Sequence, residues 1–577
     1  MPQGRRKIPF SGRAKKQQLQ AKKHRAQAVG QKLLPSHTAS SSEESFSTEL
    51  EVHKLNQQPV KHLGKANPNR YVLKFHRDSP EDVRQRKEAA LLGLASRSEE
   101  ELEIEADIYF PSGLDLPVRP PWDFSMSKIE LEAREHKYFT EYVSKIQSKF
   151  DPKELSYFEL NLETWRQLWR VLEMSEIVLV IVDIRFSSLM FPPSLYNYVN
   201  GILKKEMILI LNKIDLAPAP LVVAWKHYFK QKYPDLRVLT FTSFPSYNLY
   251  GNQSKTGLKS QRRRGKMKMA AEGAQKLLEC CEEIVKGEVV LSSWHKKILE
   301  EIKTEYDDDE IEIEETTELQ KVDTSFVEDE KYKDGVLTIG CIGQPNVGKS
   351  SLMNALMGKK VVSVSKTPGH TKHFQTIYLT HNVRLCDCPG LVFPSRVPKT
   401  LQVLMGSYPI AQLQEPYSAI RYLAERLDII KQLNLQHVDG NDEWSPMDIC
   451  EAWAKKRGYL TAKAARLDTY RAANYLLRMA TEGKICLCLR PPGFTSNKGT
   501  WEKNPEVKEI LWLQARREEE SQKQPSEYLQ EEQSDEEQSE EDLNEDAESE
   551  QSEDSSSDSS KTGEYLGTKN KFSALAV

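Results

Sequence analysis

Two nucleotide-handling motifs stand in this chain of 577 residues in an order that restricts how its sheet can be threaded. Residues 212–215 read Asn-Lys-Ile-Asp, and residues 343–350 read Gly-Gln-Pro-Asn-Val-Gly-Lys-Ser. The first pattern suits a base and the second a chain of phosphates. To serve one ligand, a strand ending near residue 212 and a strand ending near residue 342 must bring their carboxyl ends to the same edge. The whole of 216–342 lies between them. Parallel strands joined by crossovers place their carboxyl ends in this way.

The local patterns agree with such a sheet. Leu162, Trp165, Leu168, Trp169 and Leu172 recur at helical spacing. The run Ile177 to Val182, ending at Asp183, is apolar throughout, as a strand buried on both faces requires. Met207 to Leu211 leads into Asn212, and Arg237 to Phe241 leads into Thr242-Ser243-Phe244. After an interruption, Val336 to Ile342 precedes the Gly-rich loop, and Lys349 to Met357 reads as the helix after it. Phe374 to Thr380 and Val383 to Asp387 read as two more strands. Beyond Pro398 the pattern turns helical over 409–434, 446–457 and 461–482, with Gly483 as the stop. The predicted class is α/β: a three-layer αβα sheet that carries the phosphate loop and the base motif in permuted order, followed by a C-terminal helical domain.

Composition marks the parts that do not fold into that body. Hydrophobic residues are 38% and charged residues 29%, too polar for one compact unit of this length. Residues 1–42 hold ten Lys/Arg and no acid, while 518–558 hold nineteen Asp/Glu against one Lys. The expected organisation is a disordered basic and Ser-rich arm over 1–60 and a mixed extension over 61–155. The first part of the nucleotide domain follows over 156–250, a charged insertion over 251–334 and the second part over 335–395. A helical domain spans 396–496 and an acidic disordered tail 497–577. Within the insertion, seven Lys/Arg fall in 255–268 and thirteen acids in 305–330, which reads as exposed and partly disordered. A helical piece over 270–303 lies between these blocks. None of the eight cysteines forms paired C-x-x-C ligands, so reduced thiols and no disulfide-linked partner are expected. The longest aliphatic run is too short to span a bilayer, and no membrane partner is expected.

The motif residues have assignable chemistry. In the loop Gly343, Gln344, Pro345, Asn346, Val347, Gly348, Lys349, Ser350, with Ser351 following, the glycines permit backbone angles that a side chain would block. The loop amides and the positive end of the next helix then face the phosphates. Lys349 should reach the β- and γ-phosphates, and the Ser350 hydroxyl should bind magnesium. Asp215 can accept hydrogen bonds from N1 and N2 of guanine. Against adenine it would be left unpaired, which makes an ATPase a poor reading. Asn212 should tie this motif to the phosphate loop, and the Lys213 stem should cover the base. Thr242, Ser243 and Phe244 end their strand where a backbone amide can meet guanine O6. Asp387-Cys388-Pro389-Gly390 ends another strand: Asp387 would hold magnesium through water, and the Gly390 amide would meet the γ-phosphate. Thr371 is the choice for the threonine that binds magnesium and γ-phosphate, with Thr367 as rival. The catalytic set is therefore Lys349, Asn346, Thr371 and Gly390.

These residues resemble the YlqF/YawG family of circularly permuted GTPases. The resemblance covers about 155–250 and 335–495, including Trp165-Arg-Gln-Leu-Trp169 and Arg471-Ala-Ala473 through Gly483. It implies GTP/GDP as ligand, the motif order seen here and a role in ribosome assembly. Two departures matter. The family's Asp-Ala-Arg with a following proline turn is Asp183-Ile184-Arg185-Phe186 here, where Arg185 either touches RNA or ends a strand; a structural role is favoured. The family's Ser-Ala guanine motif is Ser243-Phe244.

Leu391 occupies the position at which a Ras-like enzyme carries its water-orienting Gln, so slow hydrolysis is expected, about 10⁻⁴ to 10⁻³ per second unassisted. Asn346 resembles the loop asparagine with which related GTPases hold a potassium ion, which predicts faster turnover in potassium than in sodium. The chain leaves the Asp387–Gly390 switch directly into the helical region, so nucleotide state should alter how that region docks. Lys455, Lys456, Arg457, Lys463, Arg466, Arg471 and Arg478 suit RNA phosphates, or are ordinary solvated faces. The basic arm fits nuclear or nucleolar targeting, with the cytoplasm as the alternative. The expected partners are pre-ribosomal RNA or ribosomal proteins. The serines of the acidic tail, such as Ser534 and Ser539, are candidate phosphorylation sites. The main reading is a GTP-hydrolysing ribosome-assembly factor. Its rival is a GTP-dependent protein-binding switch outside ribosome assembly.

Overall fold

The computed structural model describes residues 54–55, 79–242 apart from Phe124 and Pro152, 272–303, 331–358, and 375–514 apart from 462–465. The basic arm over 1–53, the charged blocks 255–268 and 305–330, Lys463, Ser243, Phe244, Thr367, Thr371 and the tail from 515 lie outside the described residues.

A seven-stranded sheet forms the centre. Its strands are β1 (Lys54–Leu55), β2 (Ile177–Asp183), β3 (Glu206–Asn212), β4 (Arg237–Thr240), β5 (Leu337–Ile342), β6 (Gln375–Thr380) and β7 (Val383–Asp387), in the order β1-β6-β7-β5-β2-β3-β4. β7, β5, β2, β3 and β4 run parallel, and β6 and β1 add an antiparallel edge. All seven residues of β2 are buried. Successive side chains on a strand point to opposite faces, so both faces of the sheet are covered there. The register sets Asp183 beside Asn212, Val180 beside Ile342, and Cys341 beside Asp387. The carboxyl ends of four strands therefore share one edge. The segments 212–217 and 343–348 meet there through a sheet order that the chain order does not follow.

The helices used below are α1 (Lys128–Lys149), α2 (Leu162–Met174), α3 (Ala219–Lys232), α4 (Ser292–Lys303), α5 (Lys349–Met357), α6 (Tyr417–Ala424), α7 (Pro446–Arg457), α8 (Thr469–Glu482), α9 (Lys498–Glu502) and α10 (Glu506–Gln514). Asn161 caps α2 by accepting from the Glu163 amide, and Trp165, Leu168, Trp169 and Leu172 form its buried face. The two indoles are also fixed by polar bonds, Trp165 Nε1 to the Glu159 carbonyl and Trp169 Nε1 to the Pro117 carbonyl, both at 2.9 Å. Buried tryptophans rarely leave that donor unmet. α1 starts with a capping box between Ser127 and Glu130. Its buried Glu135 accepts from Arg119 at 2.9 Å and from Arg166 of α2 at 2.7 Å.

Five expectations from the sequence are corrected. The helical piece expected over 270–303 is present, as a helix over 272–285 followed by α4, but it is not exposed: Leu277, Leu278, Cys281 and Trp294 are buried. Ser293 Oγ donates to Asn382 Oδ1 at 2.6 Å and Lys297 Nζ to the Leu379 carbonyl at 3.3 Å, so α4 lies along the β6–β7 hairpin. The charge blocks on either side masked this apolar core. The predicted helix over 409–434 is broken into Ile410–Gln412, α6 and Ile429–Gln432. Pro409 and Pro416 each precede a new start, and Asp428 caps the last piece by accepting from the Lys431 amide. The helix expected over 461–482 begins only at Thr469, where the Asp468 side chain caps it, and it ends at Gly483. The tail expected to be disordered from 497 begins as structure: α9 and α10 pack against α3. Within the arm expected to be disordered, Lys54–Leu55 pairs with Ile377 and Thr376.

The extension before residue 155 is laced to the helical region. The Arg421 guanidinium of α6 donates to the carbonyls of Ala89, Leu92 and Gly93 at 2.6, 2.7 and 3.2 Å. The Leu94 amide donates to the Trp444 carbonyl, and Ile104 and Leu102 exchange backbone bonds with Arg490.

Candidate functional site

The phosphate-type loop leaves β5 at Ile342 and enters α5 at Lys349. Gly348 sits at φ +96, and a Cβ there would lie 2.4 Å from Asn212 Nδ2. The glycine thus supplies a left-handed angle and lets the upstream motif approach. Asn212 Nδ2 donates to the Val347 carbonyl at 2.7 Å. Lys213 Nζ donates to the Asn346 carbonyl at 2.5 Å and lies 3.0 Å from Asp183 Oδ2. Two residues of the first motif therefore hold two consecutive carbonyls of the second, across more than 130 residues of chain.

Lys349 is buried. Its Nζ donates to the Gly343 carbonyl at 3.1 Å and to the Gln344 carbonyl at 2.8 Å. Burial lowers its pKa, and the nearby Asp387 charge opposes that. Ser350 Oγ donates to Asp387 Oδ2 at 3.1 Å. Burial pushes the Asp387 carboxyl up to about 6, against the pull of Lys349 and the Ser350 bond. The second oxygen of Asp387, Oδ1, is buried and has no hydrogen-bond partner. A buried carboxylate oxygen without a donor is costly, and a cation satisfies it. A hydroxyl and a carboxylate beside a phosphate loop are the hard oxygen ligands that magnesium takes, so these residues fit that ion. Among the described residues no group of three or more His, Cys, Asp or Glu is gathered as a metal site.

The turn after β3 presents Asp215. Lys213 is left-handed at φ 58, and Ile214–Leu216 forms one 3₁₀ turn. Thr242 Oγ1 donates to Asp215 Oδ1 at 2.7 Å. Burial raises the Asp215 pKa, and the Thr242 bond offsets part of that. Thr242 thus acts here through its side chain on Asp215. Ser243 and Phe244, the rest of that motif, lie outside the described residues, as does Thr371.

The segment 387–391 closes the other side. The Cys388 amide donates to the Cys341 carbonyl and the Leu391 amide to the Gly343 carbonyl, at 3.1 and 3.2 Å. A Cβ on Gly390 would lie 2.8 Å from Pro345 Cα, so only glycine lets the two loops touch. Pro389 is buried, and Ser351 stands in the first turn of α5. The Leu391 side chain is buried in the core and cannot orient a water.

Three contacts of this site had no signal in the sequence. Gln344 Oε1 accepts from Ser407 Oγ at 2.6 Å, and Asn346 Nδ2 donates to the Gly406 carbonyl at 3.1 Å. The loop thereby touches the start of the helical region. Arg185 is the third: it is buried, clamps Asp183 through Nε and Nη2 at 3.0 and 2.8 Å, and donates to the Ala480 and Thr481 carbonyls at 2.7 and 3.1 Å. Burial alone would raise the Asp183 carboxyl, yet Arg185 and Lys213 hold it well below the ordinary range. With its donors engaged inside the protein, Arg185 has the structural role and none in surface RNA contact. A positive charge at the C-terminal end of α8 also suits the helix dipole.

The family model described as "50S ribosome-binding GTPase" matches residues 338–453. The chain is similar to guanine nucleotide-binding protein-like 1 of Macaca fascicularis, with 49% identity over 546 residues, 89% of this chain and 90% of that protein. It is 32% identical over 431 residues to the large subunit GTPase 1 homolog of Mus musculus, 66% of each chain. Among solved structures, GNP-bound YlqF from T. maritima aligns at 18% identity with a TM-score of 0.32, over 57% of this chain and 98% of that one.

Proposed function

This chain belongs to the guanine nucleotide-binding protein-like 1 family of GTPases, and from that premise we propose that it is a ribosome-assembly factor whose helical region responds to the bound nucleotide. It is a GTP-binding, GTP-hydrolysing protein with the circularly permuted P-loop fold. The ribosomal part of the reading is supported by the description of the matching family model and by the name of the large subunit GTPase relative. Pre-ribosomal RNA or ribosomal proteins are the proposed partners. Nucleus or nucleolus is the proposed location.

The observation that carries nucleotide response is the pair of bonds from Gln344 to Ser407 and from Asn346 to Gly406. The loop that holds phosphates and the first residues of the helical region are hydrogen-bonded partners. A shift in one must be felt by the other.

In the proposed reaction Lys349 steadies the β- and γ-phosphates, and the amides of 343–350 orient them for attack by water. Gly390 meets the γ-phosphate, and Asp215 with Asn212 and Lys213 selects guanine. Ser350 and Asp387, with Thr371, would hold magnesium, which neutralises charge developing on the phosphate oxygens. Since Leu391 is buried, water positioning falls to groups outside this position, and unassisted hydrolysis is slow. A potassium ion beside Asn346 is the proposed aid. Its side-chain amide nitrogen is turned to Gly406, which leaves the side-chain oxygen as the atom that would face a cation.

The test is co-sedimentation of the full chain with pre-ribosomal particles in GTP analogue and in GDP, repeated with Lys349→Ala. Particle binding that follows the nucleotide and is lost in the variant supports the reading. A wild-type protein that stays at the top of the gradient in both states refutes it, and leaves the chain as a switch with other partners.

A further inference from the structure

We infer that Gln514, the last residue of α10, is a positioning residue of the guanine site. Its Nε2 donates to the Ile214 carbonyl at 2.6 Å and to the Ala217 carbonyl at 2.7 Å. Those carbonyls bracket Asp215 and Leu216, so one side-chain amide staples both ends of the turn that aims the carboxylate. The side chain is 1% exposed. A primary amide carries two N–H donors in one plane, and this geometry uses both. A glutamate of the same shape would turn lone pairs towards two carbonyl oxygens.

The turn has reason to need a staple. It opens on Lys213 in the left-handed region, an angle that a non-glycine residue holds only when its surroundings enforce it. The bonds that hold it include the Cys488 thiol to the Leu216 carbonyl at 3.5 Å, the Leu216 amide to the Lys213 carbonyl at 2.9 Å, the Ala217 amide to the Ile214 carbonyl at 3.3 Å and the Ile214 amide to the Phe241 carbonyl at 3.4 Å. The last two are long. Asp215 has a second fixed point in Thr242. The side chain of the acid and the turn around it are thus held from different elements, by Thr242 two residues beyond β4 and by Gln514 at the end of α10.

α10 is itself firmly seated. Val507, Ile510 and Leu513 are buried, and Glu506 pairs with Lys226 at 2.6 Å and with His227 at 3.2 Å, both on α3. α3 begins two residues after Ala217. The helix that carries Gln514 is therefore referenced to the same element that the turn leads into, and the amide can set the turn's position rather than follow it.

The inference rests on the reading that Asp215 selects guanine, and its test separates the two. Binding of guanosine diphosphate and of inosine diphosphate, which lacks the 2-amino group, is measured with the full chain, with Gln514→Met and with Gln514→Glu. The ratio of the two dissociation constants on one preparation does not depend on the fraction of protein that is active. If Gln514 aims the carboxylate, the preference for guanosine over inosine falls about tenfold in both variants, and most of the loss is in guanosine affinity. If Gln514 only helps α10 to fold, both nucleotides weaken together, the ratio stays within about twofold of wild type, and the inference is overturned. A wild-type protein with no preference for guanosine over inosine would instead remove the assignment of Asp215 and this inference with it.

Discussion

Glu159 offers a direct reading of how the sheet's surroundings are tuned. It is buried on the segment that enters α2. Its amide donates to the Val392 carbonyl at 3.0 Å, two residues beyond Gly390, and its Oε1 accepts from the Asn161 amide at 2.8 Å. Burial raises the carboxyl from 4.5 to about 7, against the bonds from Asn161 and Leu160. At about 1.4 kcal/mol per pH unit, that gap is worth about 3 kcal/mol. The folded state holds the proton more tightly than the unfolded state, so the stabilising contribution is complete below pH 4.5 and is lost as pH rises through about 7. About 2 kcal/mol of the loss falls between about pH 5 and 7.5. Glu159→Gln keeps an oxygen to accept from Asn161 and carries no titrating proton. Chemical denaturation of both proteins across that range should show wild type losing ground to the variant as pH increases. Parallel curves would mean that Glu159 is ionised in the folded protein, and the argument from burial would fail.

Two further outcomes follow from the site. Arg185→Met leaves the buried Asp183 with Lys213 as its charged partner and the residue 185 amide as a neutral donor, and should cost about 3–5 kcal/mol of stability; Arg185→Lys should not restore it, because an ammonium cannot reproduce the fork. Thermal denaturation checks this, and a loss under about 1 kcal/mol would contradict the geometry. Asp215→Asn should move nucleotide preference from GTP to xanthosine triphosphate by about a hundredfold or more; unchanged guanine binding in a competition assay would discredit Asp215 as the selecting group.

Much of the architecture was legible because it is local. The apolar run of β2 and the stop at Asp183 announce a buried strand. Gly343, Gly348, Lys349 and Ser350 announce a phosphate loop, since few residue types tolerate those angles and supply that charge. The places where the reading failed have two causes. The helical piece over 270–303 was legible, but its burial was hidden by flanking charge, and α9 and α10 were hidden by the tail that follows them. For α4 the packing is against the β6–β7 hairpin and for α9 and α10 against α3, and it outweighed local composition. The breaks between 409 and 434 came from Pro409, Pro416 and the Asp428 cap, which periodicity alone passes over.

What the amino-acid order determined by itself is the chemistry on offer: a base motif and a phosphate loop in inverted order, and the strands that carry them. Which groups meet was decided only in three dimensions. Nothing near Ile214 in the chain points to Gln514, 300 residues away, and nothing near Gln344 points to Ser407. Hydrogen bonds of this kind depend on where folded elements stop relative to one another. That is set by the sum of core packing across the sheet, and no window of sequence contains it.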